Sequence, residues 1–202
     1  MKRNTLLLLV LIVLLAAVAF LLLDFRLSQQ IIAVNSQAAR YTSGVDAGFP
    51  LPAGGSLDMY VIAPPWLAAR LEDRLAEALD GNPYVGQITV RDEPLQEATG
   101  AVLVVSVEEP AAAFWTPFYT QTEAKAEFAY ALNGEVDWID VTPVVMESGD
   151  PPQADVRVQA TLDLDGSGYG LISRPGYYSY LAGEMAVQIN HLLEEQLSGM
   201  GL

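Results

Sequence analysis

The chain has 202 residues, 51% of them hydrophobic, and a formal net charge of −15 at pH 7. This length suffices for one domain with a buried core. The acidic excess disfavours nucleic acid and anionic lipid headgroups as partners, because like charges repel. The absence of cysteine excludes disulfide bonds and a lipid anchor attached through cysteine.

The first predicted element is a membrane-spanning helix. Residues 5–23 form an uncharged run, TLLLLVLIVLLAAVAFLLL, which at ~1.5 Å per residue spans roughly 28 Å, about the thickness of a bilayer's hydrocarbon core. Lys2 and Arg3 precede it, so the positive-inside rule predicts a cytoplasmic N-terminus and an extracytoplasmic location for everything after Asp24. We therefore expect residues 1–23 to be a transmembrane signal-anchor.

A cleaved signal peptide is the alternative interpretation of this segment. Residues 17–19 read AVA, which satisfies the small-x-small rule for a cleavage site. Cleavage there would leave FLLL as a new N-terminus, a poor start for a soluble protein, so the uncleaved anchor is preferred. All 25 acidic residues lie at or after Asp24 and two of the ten basic residues lie before it, so the exported part carries 8 − 25 = −17 charges.

Residues 24–56 are predicted to connect the anchor to the folded domain. Residues 24–40 are compatible with a continuing helix, and residues 41–56, YTSGVDAGFPLPAGGS, hold four glycines and two prolines. Glycine and proline at this density are typical of a linker. We expect a helical extension, then a Gly/Pro linker, then an extracytoplasmic domain over residues 57–202.

The domain is predicted to begin with a strand and an amphipathic helix. The sequence LDMYVIA, starting at Leu57, alternates as a strand does. A helical period follows, which ends at Gly81 and Pro83. Its leucine stripe consists of Leu67, Leu71, Leu75 and Leu79. One face of this helix is therefore expected to pack on the core.

Several strands are predicted next. Residues 84–92 form one, and the near-continuous apolar run within residues 101–109 predicts a strand that is covered on both faces or central in its sheet. Residues 125–132 and 154–165 alternate, and Asn133–Gly134 predicts a two-residue hairpin turn. The apolar positions of the alternating strands are Ala126, Phe128, Tyr130 and Leu132, and Val156, Val158, Ala160, Leu162 and Leu164.

The C-terminal sequence YYSYLAGEMAVQINHLLEEQL returns to helical spacing. Its apolar stripe consists of Tyr178, Leu181, Met185, Ile189 and Leu192. Two helices with one apolar stripe each can both pack on the apolar side of a sheet. The predicted fold class is α+β: an N-terminal transmembrane helix followed by a two-layer domain with two helices packed on one face of a mostly antiparallel sheet.

The sequence LDLDGSGYGLIS, residues 162–173, looks like the start of a calcium loop. Counted from Asp163, the first oxygen positions and the glycine fit, but the twelfth position, which needs a bidentate glutamate, is Arg174. Its charge would repel the cation, so a hairpin turn in which Gly166 and Gly168 supply positive φ is the preferred interpretation. We expect no bound metal and no cofactor.

The sequence shows no catalytic constellation. The one histidine, His191, has no second histidine or cysteine at ligand spacing, and a solvated helix position is preferred for it. No serine lies in a Gly-x-Ser-x-Gly elbow, and the acidic pairs Glu108–Glu109 and Glu194–Glu195 are adjacent, so their side chains point apart in a strand or helix. A hydrolase that uses carboxylates from distant strands stays open as an alternative.

Two aromatic clusters are the candidate binding features. The first lies in a proline-interrupted connection and consists of Phe114, Trp115, Phe118 and Tyr119. The second consists of Tyr177, Tyr178 and Tyr180. Such aromatics can form a binding surface for a partner protein or an amphipathic ligand. The alternative is that they fold back and cover the end of the core.

The layout of the domain resembles a known group of envelope proteins. LAARLEDRLAEAL, ATGAVLVVSVEE, ADVRVQATLDLDGSGYGLIS and YLAGEMAVQINHLLEEQL look like the small periplasmic domains of the lipopolysaccharide-assembly lipoprotein and the curli-secretion (CsgG-like) N-terminal group. The resemblance covers roughly residues 57 to 198 and implies an envelope-assembly or scaffolding role without catalysis. The chain departs from that group in having an apolar helix in place of a lipidated cysteine, and no functional residue can be carried over.

These features predict a single-pass, membrane-anchored extracytoplasmic protein without enzymatic activity, which binds or scaffolds another component of the cell envelope. The alternatives are an exterior carboxylate-dependent hydrolase and a small-ligand-binding module. The expected partners are the membrane, through residues 5–23, and an envelope protein, with no nucleic acid. The sequence is silent on oligomeric state.

Overall fold

The fold is taken from a computed structural model of the chain, which describes residues 3–43, 55–92, 100–108, 112–132, 136–137, 141–143 and 155–198. The elements along these residues are α1 (Arg3–Leu22), β1 (Arg26–Ser43), β2 (Leu57–Ile62), α2 (Ala68–Leu79), β3 (Ile88–Val90), β4 (Ala101–Val107), β5 (Ala112–Trp115), β6 (Tyr119–Ala131), β7 (Val136–Asp137), β8 (Thr142–Pro143), β9 (Asp155–Ile172) and α3 (Arg174–Ser198).

Seven of these strands form one mixed sheet. Six follow the order β1-β9-β6-β4-β2-β3, and β5 pairs with β6. β2 is parallel to both β3 and β4, whereas the other pairs in the sheet are antiparallel. The α+β class predicted from the sequence is confirmed, and β4 lies inside the sheet, as its continuous apolar run predicts.

Both α2 and α3 bury their apolar stripes in one core on one face of the sheet. The leucine stripe of α2 is fully buried, with each leucine 0% exposed. The predicted stripe of α3 is buried with it, apart from Tyr178, which is buried in a neighbouring cluster. The strand positions that face these helices include Met59, Leu103, Phe128 and Val158. The inward positions predicted for β6 and β9 are all buried, so their period-two pattern is confirmed.

The predicted helical extension after the anchor is wrong where the structure describes it. Residues 26–43 form β1, which pairs antiparallel with β9 along its whole length, from Arg26 opposite Ile172 to Ser43 opposite Asp155. The physical reason is the burial of alternate side chains: Ile32, Val34 and Ala38 pack against the core. Pairing along a long neighbouring strand overrides local helix propensity.

The sheet therefore includes residues that precede the predicted start of the domain at Leu57. Residues 44–54, which hold most of the predicted linker, lie outside the described residues, as does the predicted hairpin turn at Asn133–Gly134.

The hairpin predicted at Gly166 and Gly168 is also wrong, because β9 is one continuous strand through both positions. Among the glycines that the structure describes, positive φ occurs at Gly170, with φ 120°. Gly166 has a different role. A side chain there would overlap the carbonyl oxygen of Ile31 and place its Cβ 2.8 Å from the Cα of Ile32, so glycine allows β1 to approach closely.

α1 exposes its apolar side chains. Those described from Leu7 onward are exposed, apart from the half-buried Phe20, and Leu8, for example, is 58% exposed. Within the part of the chain that the structure describes, no helix combines the length and the apolar character needed to cross a membrane.

Candidate interaction surface

The candidate site lies on the face of the sheet turned away from α2 and α3. Paired residues of neighbouring strands share a face, and residues two apart along a strand do so too. Tyr169 therefore shares this face with Gln29 and Tyr119, its partners on either side. At one end the face is covered, because Val136 and Val141 pack over β4 and β6 there. We call the rest, formed by β1, β9, β6 and β5, the open face.

Aromatic side chains cluster on the open face. The ring centroids of Phe114 and Tyr119 lie 6.2 Å apart, and those of Tyr119 and Tyr169 lie 5.2 Å apart. Tyr169 is 68% exposed and Phe114 is 56% exposed. Leu27 and Ile31 of β1, on the same face, are also exposed. We call these five residues the aromatic patch.

The four residues of the first predicted cluster do not all lie on the same face of the sheet. Phe114 and Tyr119 belong to the aromatic patch, and Phe118 is exposed beside it in the turn between β5 and β6. Trp115 lies on the other face, half-buried against the cluster of Ile172, Tyr177 and Tyr178. Its indole Nε1 donates a hydrogen bond to the carbonyl oxygen of Ile172 at 3.1 Å. The alternative that such aromatics cover the end of the core therefore holds for Trp115, whereas Phe114 and Phe118 are exposed.

The three tyrosines of the second predicted cluster also lie in different surroundings. Tyr177 and Tyr178 are buried, and the hydroxyl of Tyr177 donates to the carbonyl oxygen of Gln121 at 2.8 Å while pairing with the hydroxyl of Thr122. Burial raises the pKa of Tyr177. Tyr177 thus joins α3 to β6, and the ring centroid of Tyr178 lies 4.3 Å from that of Trp66, so neither tyrosine is available to a partner.

Tyr180 lies in an open groove of about 600 Å³ between α2, α3 and the junction of α1 with β1. The guanidinium of Arg26 stands 4.6 Å from the centre of its ring. Burial, followed by the charge of Glu184, raises the pKa of Tyr180 to about 12. Charged side chains line the groove, and several already have partners: Asp24 accepts a hydrogen bond from Ser179, and Glu77 pairs with Arg74, which also lines the groove.

Carboxylates occupy the open face beside the aromatic patch. Glu123 lies directly opposite Asp165, and Lys125 lies opposite Asp163. The Nζ of Lys125 is 2.7 Å from Glu108 and 3.1 Å from Glu127, and its hydrogen bonds to these two carboxylates raise its pKa. Within the described ranges, neither Glu123 nor Asp165 forms an ion pair.

The described residues hold no group of three or more His, Cys, Asp or Glu side chains that could bind a metal ion. His191 is exposed on α3. Asp163 and Asp165 lie two apart within one continuous strand and so share the open face.

Sequence reasoning missed three members of the aromatic patch. The local pattern places Tyr169 in the segment after a hairpin turn, and Leu27 and Ile31 in a helix. The available signal is a set of apolar residues spaced two or four apart, at positions 27, 31 and 169–171. Strand pairing alone brings them together, since Leu27 lies opposite Leu171 and the neighbouring Gln29 lies opposite Tyr169.

Comparison with known proteins gives likeness in structure alone. No protein-family model and no curated protein matches the chain. A PelC variant dodecamer from Paraburkholderia phytofirmans matches 82% of this chain and 98% of its own, with 16% identity and a TM-score of 0.40. A second PelC dodecamer from the same organism matches the same shares, with 17% identity and a TM-score of 0.39. Likeness at this level supports no conclusion about function.

Proposed function

We propose that this protein is a membrane-anchored extracytoplasmic binding module, which holds another protein of the cell envelope on its aromatic patch and catalyses no reaction. The observation that carries the proposal is the exposure of Phe114, Tyr169, Leu27 and Ile31 together on one uncovered sheet face. The solvated face of an antiparallel sheet is ordinarily polar. A contiguous exposed apolar patch marks an interaction site.

The patch has the residue types of a protein-binding site. Tyrosine and other aromatics dominate the binding energy of protein interfaces because they bury large areas with few rotatable bonds. β1 and β9 pair without interruption along this face, so it offers a long, open surface, which a protein partner can cover more fully than a small molecule can. An assembly or scaffolding role, as the resemblance to envelope domains implies, requires only such binding.

Membrane anchoring rests on residues 5–23, which are uncharged and follow Lys2 and Arg3. α1 is joined closely to the sheet: the hydroxyl of Ser173 donates to the carbonyl oxygen of Leu23 at 2.7 Å. Leu27 is the second residue of β1, so the aromatic patch begins at the end of the sheet from which α1 leaves. A bound partner would therefore lie close to the membrane surface.

Site-specific photocrosslinking tests the binding site. A photoreactive amino acid replaces Tyr169 or Phe114 in the full-length protein in cells, and the matched control replaces Val187, which is 57% exposed on α3. We expect one protein to be crosslinked from the two patch positions and not from position 187. This crosslinked partner should bind the purified full-length Tyr169→Ala variant about 2 kcal/mol more weakly than the wild type. Equal yields of crosslinked protein from all three positions would contradict the proposal. Crosslinks to lipid alone would contradict it as well.

Fractionation tests the anchor. The protein should keep residues 1–23, resist extraction from membranes by alkaline carbonate, and lose its domain to protease added outside spheroplasts. A soluble product beginning at Phe20 would show that AVA is a cleavage site. Protection of the domain from external protease would show the opposite topology.

One alternative has a specific candidate site. A small-ligand-binding module would use the groove at Tyr180, whose volume falls in the range of ligand pockets. A thermal-shift screen on Tyr180→Ala and wild-type full-length protein separates this function from binding at the aromatic patch, because the two sites lie on opposite sides of the sheet.

A further inference from the structure

We infer that the partner presents a basic segment, in which lysine or arginine lies beside apolar side chains, and that Glu123 and Asp165 receive its positive charge. The inference rests on the proposed function, because it specifies the chemistry of the partner that the aromatic patch holds. It adds a second and electrostatic part to the same surface.

The two parts of the surface are adjacent. Phe114 lies opposite Gln121 on β6, and Glu123 is the next residue of β6 on that face. On β9, Ser167 separates Tyr169 from Asp165 on the same face. Same-face neighbours along a strand are about 6.8 Å apart, so the carboxylates stand one or two such steps from the aromatic rings. One extended segment or helix face would reach both.

Within the described residues, no ion pair accounts for the two carboxylates at this position. Glu123 and Asp165 are directly opposite each other, an arrangement that destabilises a sheet because like charges repel. The neighbouring lysine does not relieve it, since Lys125 is engaged with Glu108 and Glu127. Both carboxylates are exposed. A cation supplied by a partner would convert this repulsion into attraction across the interface.

The negative charge of the chain also favours one class of partner over the others. The part of the chain from Asp24 onward carries 8 − 25 = −17 charges, so a second copy would bring the same sign to the same face. Anionic lipid headgroups would likewise be repelled. A basic protein segment is the occupant whose charge matches the carboxylates and whose apolar residues match the aromatic patch.

Synthetic peptides serve as probes in the absence of an identified partner. Three peptides share one alternating pattern of leucine and tryptophan, and their intervening positions are lysine, glutamine or glutamate. Binding to full-length protein in detergent is followed by fluorescence anisotropy at low and high salt. The variants are Glu123→Gln/Asp165→Asn, the control Glu194→Gln/Glu195→Gln, which removes the same charge from exposed positions on α3, and Phe114→Ala/Tyr169→Ala.

We expect the lysine peptide to bind best, and Glu123→Gln/Asp165→Asn to weaken its binding about tenfold at low salt and less at high salt. The α3 control should change binding by less than about twofold. Equal losses in the two charge variants would show a general effect of net charge and overturn the inference. Equal binding of the lysine and glutamine peptides to the wild type would overturn it as well.

The aromatic variant separates this inference from the proposed function. If Phe114→Ala/Tyr169→Ala weakens all three peptides while the carboxylate variant weakens none, the patch binds partners without selecting basic ones. If the aromatic variant has no effect, the proposed function fails and the inference fails with it. Stability gives an independent measurement, since Asp165→Asn should raise the unfolding midpoint by removing the repulsion.

Discussion

The hydroxyl oxygen of Ser173 accepts a hydrogen bond from the backbone amide of Phe25 at 2.9 Å, across 148 positions of the chain. The same hydroxyl accepts from the amide of Gly176 at 3.0 Å and donates to Leu23. The amide of Ser173 in turn donates to the carbonyl oxygen of Phe25 at 2.9 Å. One buried side chain thus caps α3 and fixes the segment that joins α1 to the sheet.

Ser173→Ala should lower the free energy of unfolding by about 2 kcal/mol, because it removes a helix cap and the hydrogen bonds that the hydroxyl makes to Phe25 and Leu23. The measurement is chemical unfolding of the full-length protein in detergent, followed by circular dichroism. Ser198→Ala is the matched control, since its hydroxyl bonds to Glu195 at the exposed end of α3. Equal effects of the two substitutions would contradict the role of Ser173.

Gly166→Ala should destabilise the fold by about 1–3 kcal/mol, because the added methyl group would overlap the backbone of β1. Hydrogen exchange should then increase first in β1, at the edge of the sheet. Gly183→Ala in α3 is the control. Apart from its chain neighbours and the backbone of its own helix, no atom lies within 4 Å of the position of its Cβ, and alanine favours a helix by up to about 1 kcal/mol over glycine. If Gly166→Ala were as mild as Gly183→Ala, the close approach would be disproved.

Trp115→Ala should cost about 2 kcal/mol or more of folding stability, because it removes half-buried ring contacts and the hydrogen bond to Ile172. Phe118→Ala should change stability by no more than about 0.5 kcal/mol, since the ring is 69% exposed. Chemical unfolding of the two variants checks both values. Reversed effects would mean that Phe118 belongs to the core and Trp115 to the surface.

Stability should fall as the pH rises through 10 toward 12. Burial raises the pKa of Tyr130 from 10.0 to about 12, so in this window the unfolded chain loses a proton that the folded chain retains. The stabilisation is fully present below pH 10, and between the two pKa values the free energy of unfolding should fall by about 1.4 kcal/mol for each pH increase of one. Unfolding midpoints measured across this range should fall less steeply in Tyr130→Phe. An unchanged slope would show that Tyr130 does not contribute.

The sequence by itself determined the class of the fold and most of its core. The stripe at Leu67, Leu71, Leu75 and Leu79 has a period that only a helix can bury on one side, and the alternation from Val156 to Leu164 has a period that only a strand can. Both patterns are local, so no knowledge of neighbouring elements is needed to read them. The α+β class followed from their order along the chain.

Tertiary structure decided β1 and the path of β9. The apolar residues of positions 26–43 do not alternate as those of a strand do, so the pattern does not favour a strand on its own, and the pairing with β9 supplies the hydrogen bonds that do. Gly166 and Gly168 read as a turn because glycine is the usual turn residue. Their actual role is to leave room for β1, namely for the backbone of Ile31 and Ile32 at Gly166 and for the side chain of Gln30 at Gly168. These residues of β1 lie more than 130 positions away in the chain.

The candidate site shows the same division. Phe114 and Tyr119 could be named as candidate binding residues from their proline-interrupted connection, but their separation from Trp115 required the faces of β5 and β6. Strand register alone places Tyr169, Leu27 and the pair of Glu123 and Asp165 on this surface. Register depends on long-range pairing, and a shift of one residue would move every side chain to the opposite face, so no local pattern specifies which residues a sheet brings together.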